Sequence, residues 1–316
     1  VNPRTLRSEA LLLLASIIWG FAFVAQRAAM DHLGPFLFNA VRFGIGTLTL
    51  LPFALLGVGN APPRRAPPTG PGMGSLPPIP GRVDVSWRGG VLVGVLLFGG
   101  ASLQQAGMVS TTAGKAGFIT ALYVVLVPLL GLFARHRPGV GAWIGVAFAV
   151  IGLYFLCIQE QLHVVRGDAL VLGATLFWAL HILSVGSFTP RIRLMTFACV
   201  QCATCAILCG AVALVAEEVS LAAMRQAITP LLYAGVLSTG VAFTLQIVGQ
   251  RATSPAHAAI LLALESVFAA VGGALLLGES MTARQILGCM LMLCGVVVSQ
   301  LGTLVRRSSG PVSPAR

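Results

Sequence analysis

Ten apolar windows of about twenty residues follow one another along this chain, near 10–29, 36–57, 90–109, 114–134, 140–159, 167–187, 194–215, 230–250, 256–277 and 283–304. A helix needs roughly 20 apolar residues to cross a bilayer, so the pattern predicts an all-α integral membrane protein with ten transmembrane helices. Charged residues make up 9% of the chain, against about 25% in soluble domains, which excludes a soluble globular fold. The one long connection, residues 58–89, carries eight prolines among glycines and reads as a flexible cytoplasmic linker without a core of its own. Arg4 and Arg7 ahead of LLLLASIIWGFAFVA have the look of a signal peptide. That apolar run is long and has a counterpart later in the chain, so it is read as a retained first span. Val1 is read as a literally translated GTG start, a bacterial trait.

The two halves of the chain repeat. A shift of 159 aligns Ala15 with Ala174, Trp19 with Trp178, Phe38 with Phe197 and Val41 with Val200. Past the Pro-rich linker the shift is 142, matching Leu103–Gly107 with Leu245–Gly249, Thr111 with Thr253, Ala121 with Ala263, Leu122 with Leu264 and Gly131 with Gly273. A shift of 143 then pairs Gly145 with Gly288 and Gly152 with Gly295. The duplication therefore divides the chain into a first repeat, 10–159, a second repeat, 167–304, and a cytoplasmic tail, 305–316. Each repeat holds five helices. Five is odd, so the second copy enters the membrane in the opposite direction and the two are inverted repeats.

Charge supplies an independent check on orientation. With the N-terminus inside, inner segments hold fourteen Lys and Arg residues and outer segments five, with Arg42 inside a span. Both termini are therefore expected in the cytoplasm. The net charge of +11 comes from Arg residues in ones and twos between apolar runs. No basic stretch is long or interleaved with aromatics, so no nucleic-acid partner is expected. All seven cysteines lie in apolar runs, which does not fit a disulfide framework. Cys199, Cys202, Cys205 and Cys209 recur every three or four residues. That spacing forms either a soft-metal stripe or, with no His or Met cluster beside it, a run of small packing residues. The second reading is preferred, and no metal or other cofactor is expected.

Several segments resemble the drug/metabolite transporter superfamily, in its ten-helix type with two EamA domains. They are WGFAFVAQRA (Trp19–Ala28), PFLFNAVRFGIG (Pro35–Gly46), TALYVVLVPLLG (Thr120–Gly131), LESVFAAVGGALLLGE (Leu264–Glu279) and TARQILGCMLMLCGV (Thr282–Val296). The resemblance implies a substrate cavity between helices one to four and their inverted partners, six to nine, with helices five and ten outside it. It also implies transport, mostly export, of amino acids, related metabolites or drugs. Two departures stand out. Ser266 occupies the place of the family's usual Pro after the first Glu, removing the expected cause of a kink in helix nine. Arg135–Arg137 stand where a second copy of the Gly-Glu pair would fall.

Within the spans, polar groups are few and each needs a reason. Glu265 lies near midbilayer, where a charge costs about 2.5–3.5 kcal/mol on insertion scales. It is a candidate proton relay or cation site, against a helix-packing hydrogen bond. Arg42, some seven residues into helix two with Asn39 one turn before it, is a candidate for binding a substrate carboxylate or neutralising Glu265, against snorkelling outward. Trp19 and Trp178 are repeat equivalents near midspan rather than at an interface, and are candidate walls of an apolar cavity. His181 follows Trp178 by one turn. Gln104 and Gln246 are matched polar positions, Gln201 stands where Arg42 stands in the other copy, and Tyr123 in the TALYVVLVPLLG segment completes the candidate set. Lys115 and His257, also equivalent, are read as solvated helix-end charges rather than gates.

Together these readings predict a secondary transporter of the bacterial inner membrane, monomeric or homodimeric, exporting small metabolites, amino-acid-like or drug-like compounds by alternating access. Proton coupling is a candidate drive because there is no GxxxxGK[ST] nucleotide site. A facilitator or importer of the same fold is the nearest alternative. An intramembrane enzyme is the distant one, since the sequence has no His-Glu-x-x-His, no Gly-x-Ser-x-Gly and no paired acidic metal site at membrane depth. Gly288–Gly295 could support either dimer or internal packing.

Overall fold

The computed structural model describes residues 3–58, 86–133, 138–157, 165–189, 192–277 and 281–308. Most of the Pro-rich linker, Arg135–Arg137, Gly278–Glu279 and the tail past Ser308 lie outside the described residues. The described residues form helices and no strands. Eight stretches are long and apolar enough to span a bilayer: α1 (Pro3–Ala29), α2 (Pro35–Leu55), α3 (Ser86–Met108), α4 (Ala113–Phe133), α6 (Arg166–Phe188), α7 (Leu194–Ala216), α8 (Ile228–Gly249) and α9 (Pro255–Leu277). Two further apolar helices, α5 (Val140–Cys157) and α10 (Ala283–Ser308), complete the ten. A short helix, Leu221–Gln226, precedes α8.

Local chemistry sets several of the boundaries. Thr112 caps α4 by accepting from Lys115 N, and its repeat equivalent Ser254 caps α9 by accepting from His257 N, with Pro255 in the first turn. Both are side-chain acceptors for amides that the helix leaves unpaired. The N-terminus of α2 is capped from a distance, as Phe36 N and Leu37 N donate to the two carboxylate oxygens of Glu217 at 2.9 and 2.7 Å. There the acid also meets the positive end of the helix dipole.

The packing follows the repeat. Three contacts join equivalent helices across the pseudo-two-fold axis: α2 with α7, α4 with α9, and α5 with α10. The remaining large contacts come in matched pairs, α1–α8 with α6–α3, α1–α9 with α6–α4, and α2–α8 with α7–α3. Close approach at two glycine sets fixes this geometry. A Cβ on Gly145 would lie 2.8 Å from Gly295 O, and one on Gly152 would lie 2.6 Å from Gly288 O. Each of these pairs is the image of the other under the shift of 143. The small residues of α10 are thus used internally, against α5, rather than left for a second copy. Gly152→Val is expected to overpack this seam and cost about 1–3 kcal/mol, read as a lower unfolding temperature of the solubilised protein. Unchanged stability would show that the seam can open.

The second glycine set exposes an irregularity. A Cβ on Gly94 would stand 2.8 Å from Gln201 O, and one on Gly235 would stand 3.1 Å from Arg42 O. Residues 42 and 201 are repeat equivalents, so Gly94 matches Gly235 with a shift of 141, whereas Gln104 matches Gln246 with 142. The extra residue is absorbed between them, where Tyr233–Ala242 is a π-helix. A π segment is a one-residue insertion that widens a helix locally.

Helix α9 does break, without the family's Pro. Its two segments, Pro255–Leu262 and Glu265–Leu277, flank Ala263 and Leu264. α4 breaks at the equivalent place, between Ala113–Ala121 and Tyr123–Phe133. Ser266 Oγ donates to Ala263 O at 2.8 Å across this corner, while α4 breaks at its equivalent place with Val124 in the position of Ser266. These paired breaks turn Tyr123 and Glu265, themselves equivalents, toward each other on the axis.

Candidate functional site

A cavity enclosing about 520 Å³ of space, its mouth included, lies at the centre of the bundle. Its lining comes from both repeats. The first supplies Trp19, Phe23, Gln26, Arg42, Gln104, Thr120 and Tyr123, and the second Trp178, His181, Ile182, Ser238, Phe243, Gln246, Leu262 and Glu265. Among the described residues, none of α5 or α10 lines it.

Eight of the nine residues singled out from the sequence line this space: Glu265, Arg42, Trp19, Trp178, Gln104, Gln246, His181 and Tyr123. The ninth, Asn39, stands behind. Its Oδ1 accepts Arg42 Nε at 2.8 Å, while its amide donates to Ala101 O at 3.0 Å. Asn39 thus anchors the guanidinium to α3. Arg42 is 3% exposed and packs against Phe43 and Phe38, 4.6 and 5.5 Å from the ring centroids. It therefore points into the protein rather than snorkelling outward, and among the described residues no carboxylate lies within ion-pair distance of it.

Glu265, 5% exposed, accepts from Tyr123 Oη at 3.1 Å. No described cation lies within ion-pair distance of it. Trp178 Nε1 donates to Gln104 Oε1 at 2.7 Å, and Thr120 Oγ1 reaches the same oxygen at 3.4 Å. Trp19 Nε1 instead donates to Ser238 O, in the π segment, at 2.9 Å. Phe243 fills the space between the two indoles, edge-on to Trp19 at 4.9 Å and stacked with Trp178 at 6.3 Å. His181 Nε2 is 3.2 Å from Gln201 Oε1. The result is an aromatic wall with a cation and a carboxyl group set into it.

Sequence reasoning missed Phe23, Gln26, Thr120, Ile182, Ser238, Phe243 and Leu262. Gln26 and Thr120 carried a usable signal, lying seven residues after Trp19 and three before Tyr123, on the same helix faces. Phe243, an aromatic in an apolar run, had none.

Lys115, partly exposed, and His257, buried, are each paired with an acid rather than left to solvent. Lys115 Nζ is 2.6 Å from Asp168 Oδ2, with Thr111 Oγ1 donating to Asp168 Oδ1 at 2.6 Å. His257 Nε2 is 3.3 Å from Glu9 Oε1, and its Nδ1 is 2.9 Å from Ser299 Oγ. Asp168 and Glu9 are related by the shift of 159, so these are two equivalent acid–base pairs at opposite ends of the molecule. Both acids are buried, because each helix-end charge meets a partner on another helix. The α7 cysteines pack in an apolar layer with Phe43, Leu50 and Leu97. Among the described residues no three His, Cys, Asp or Glu side chains are placed to share a metal ion.

The comparisons agree with this architecture. A solved protein structure superposes with a TM-score of 0.72, covering 96% of this chain and 99% of its own, at 17% identity, which is a likeness of fold. A protein of Archaeoglobus fulgidus named an uncharacterized transporter is 29% identical over 304 residues, 94% of this chain and 87% of its own. The threonine/homoserine exporter RhtA of Salmonella typhimurium is 32% identical over 229 residues, 66% of this chain and 70% of its own. The EamA-like transporter family matches residues 6–158 and 165–301, one copy on each repeat. A ten-helix bundle built from two inverted copies around a shared central cavity is thus the framework of a membrane transporter, and this chain belongs to the EamA-like transporter family.

Proposed function

We propose that this chain is a secondary exporter of small amphipathic metabolites of amino-acid type, working by alternating access in the bacterial inner membrane with both termini in the cytoplasm. The observation that carries this reading is the pair of charged groups in one aromatic cavity. Arg42 offers a planar donor fork without a described carboxylate partner, and Glu265 offers a carboxyl group whose described hydrogen-bond partner is a tyrosine. A guanidinium fork matches a carboxylate. A carboxyl group and aromatic faces match an ammonium or its proton-exchanging equivalent. The likeness to a protein named as a threonine/homoserine exporter supports the same substrate class. Glu265 is then the coupling group, releasing a proton when substrate enters and regaining it from the other face.

The test is a comparison of medium and cell metabolites in a bacterial host with and without the chain, together with growth on toxic amino-acid analogues. Enrichment of one or more zwitterionic metabolites in the medium, with resistance to their analogues, is expected. Accumulation inside the cells with heightened sensitivity would reverse the direction to uptake.

A further inference from the structure

The two repeats are equivalent in sequence position but not in hydrogen bonding, and the differences fall on one side. In the unit built from α3, α4 and α6, Trp178 donates to Gln104 and Thr111 donates to Asp168. The equivalent unit is built from α8, α9 and α1, where Trp19 stands for Trp178, Gln246 for Gln104, Thr253 for Thr111 and Glu9 for Asp168. There Trp19 is drawn off to Ser238 O. Gln246 Oε1, 1% exposed as a residue, and Thr253 Oγ1 are buried with no hydrogen-bond partner among the described residues. Both bonds are closed in one unit and both are open in the other, although the two places lie at the cavity and at the end of the bundle. A buried polar group left unpaired is unfavourable, and in an inverted repeat the partner of each orphan is specified by its closed equivalent.

We propose that Gln246 and Thr253 are positioning residues of the opposite-facing state, an assignment that rests on the alternating-access reading. In that state Trp19 Nε1 leaves Ser238 O for Gln246 Oε1, and Thr253 Oγ1 donates to Glu9 beside His257. The Trp178–Gln104 and Thr111–Asp168 bonds open in exchange. The π segment is what lets Trp19 wait on a backbone carbonyl, since α3 has no such insertion. Leu262 stands where Thr120 stands, so the second unit closes with one bond fewer and the arrangement described here is the resting one. In it the end of the molecule carrying Lys115 and Asp168 is shut.

The test uses a cavity reporter, Ser238→Cys, in a chain whose seven native cysteines are replaced by Ala or Ser. The reporter is labelled with a membrane-impermeant maleimide from either face of oriented vesicles, at equal amounts of monodisperse protein. Gln104→Met and Thr111→Val remove a closed bond and are expected to raise labelling from the Lys115 end relative to the Glu9 end by about fivefold, the weight of one hydrogen bond. Gln246→Met and Thr253→Val are expected to move the ratio the other way. Two separate pairs of near-isosteric variants keep the result readable if one fails to fold. A wild-type reporter reached from both faces, with Gln246→Met and Thr253→Val causing no shift or the same shift as the first pair, would overturn the assignment and leave alternating access standing. A reporter reached from one face only, in the wild type and in all four variants, would overturn both.

Discussion

Glu265→Gln is expected to abolish gradient-driven transport, lowering the rate by about 100-fold or more, the order lost when a positioned proton-transfer group is removed. The folded protein should remain abundant. Gln keeps an oxygen that can accept from Tyr123 Oη, the bond now made at 3.1 Å, and its volume is nearly that of Glu. The charge is lost, and with it proton exchange and part of the pull on a substrate ammonium. Substrate exchange between equal pools on the two sides needs no net proton movement, so at saturating substrate it should survive in the mutant. Transport down the gradient at the wild-type rate in Glu265→Gln would remove this residue from the mechanism and leave it as a packing group on the α4–α9 axis.

Arg42→Ala is expected to eliminate transport of substrates that carry a carboxylate, while neutral apolar substrates retain it. Truncating one partner of a buried charge pair costs about 2–5 kcal/mol, roughly thirtyfold or more in affinity. Arg42→Lys should recover little, since Lys keeps the charge but not the planar fork or the Nε–H that meets Asn39. Competition by carboxylate-bearing and esterified forms of one compound reads the effect directly. Equal loss of both would make Arg42 a structural residue of the α2–α3 contact.

Much of this arrangement was legible in the sequence because the repeat carries it. Trp19 and Trp178, or Gln104 and Gln246, declare themselves as central only when the halves are laid over each other, and the structure places all four on the cavity. Two kinds of feature were hidden. The first is the π segment at Tyr233–Ala242, since Gly235, Ser238, Thr239 and Gly240 read as the ordinary small residues of a span and the one-residue insertion shows only once contacts between helices fix the register. The second is pairing between helices. Hydropathy treats Lys115 and His257 as charges at helix ends, where solvation is the default. Their partners Asp168 and Glu9 become visible only once α4 packs on α6 and α9 on α1. The break in α9 is a related case. Its usual marker, Pro, is absent, with Ser266 in its place, and the equivalent break in α4 has Val124 there, so neither break is signalled by its sequence.

Efflux from liposomes holding the purified chain decides whether the cavity between the repeats carries a zwitterionic metabolite across the membrane, with a panel of neutral amino acids loaded inside and an imposed proton gradient. Efflux of at least one of them is expected above protein-free liposomes, dependent on the gradient in the wild type and absent in Arg42→Ala. Efflux no faster than from protein-free liposomes across the whole panel, from protein shown to be folded, would contradict the proposed transport.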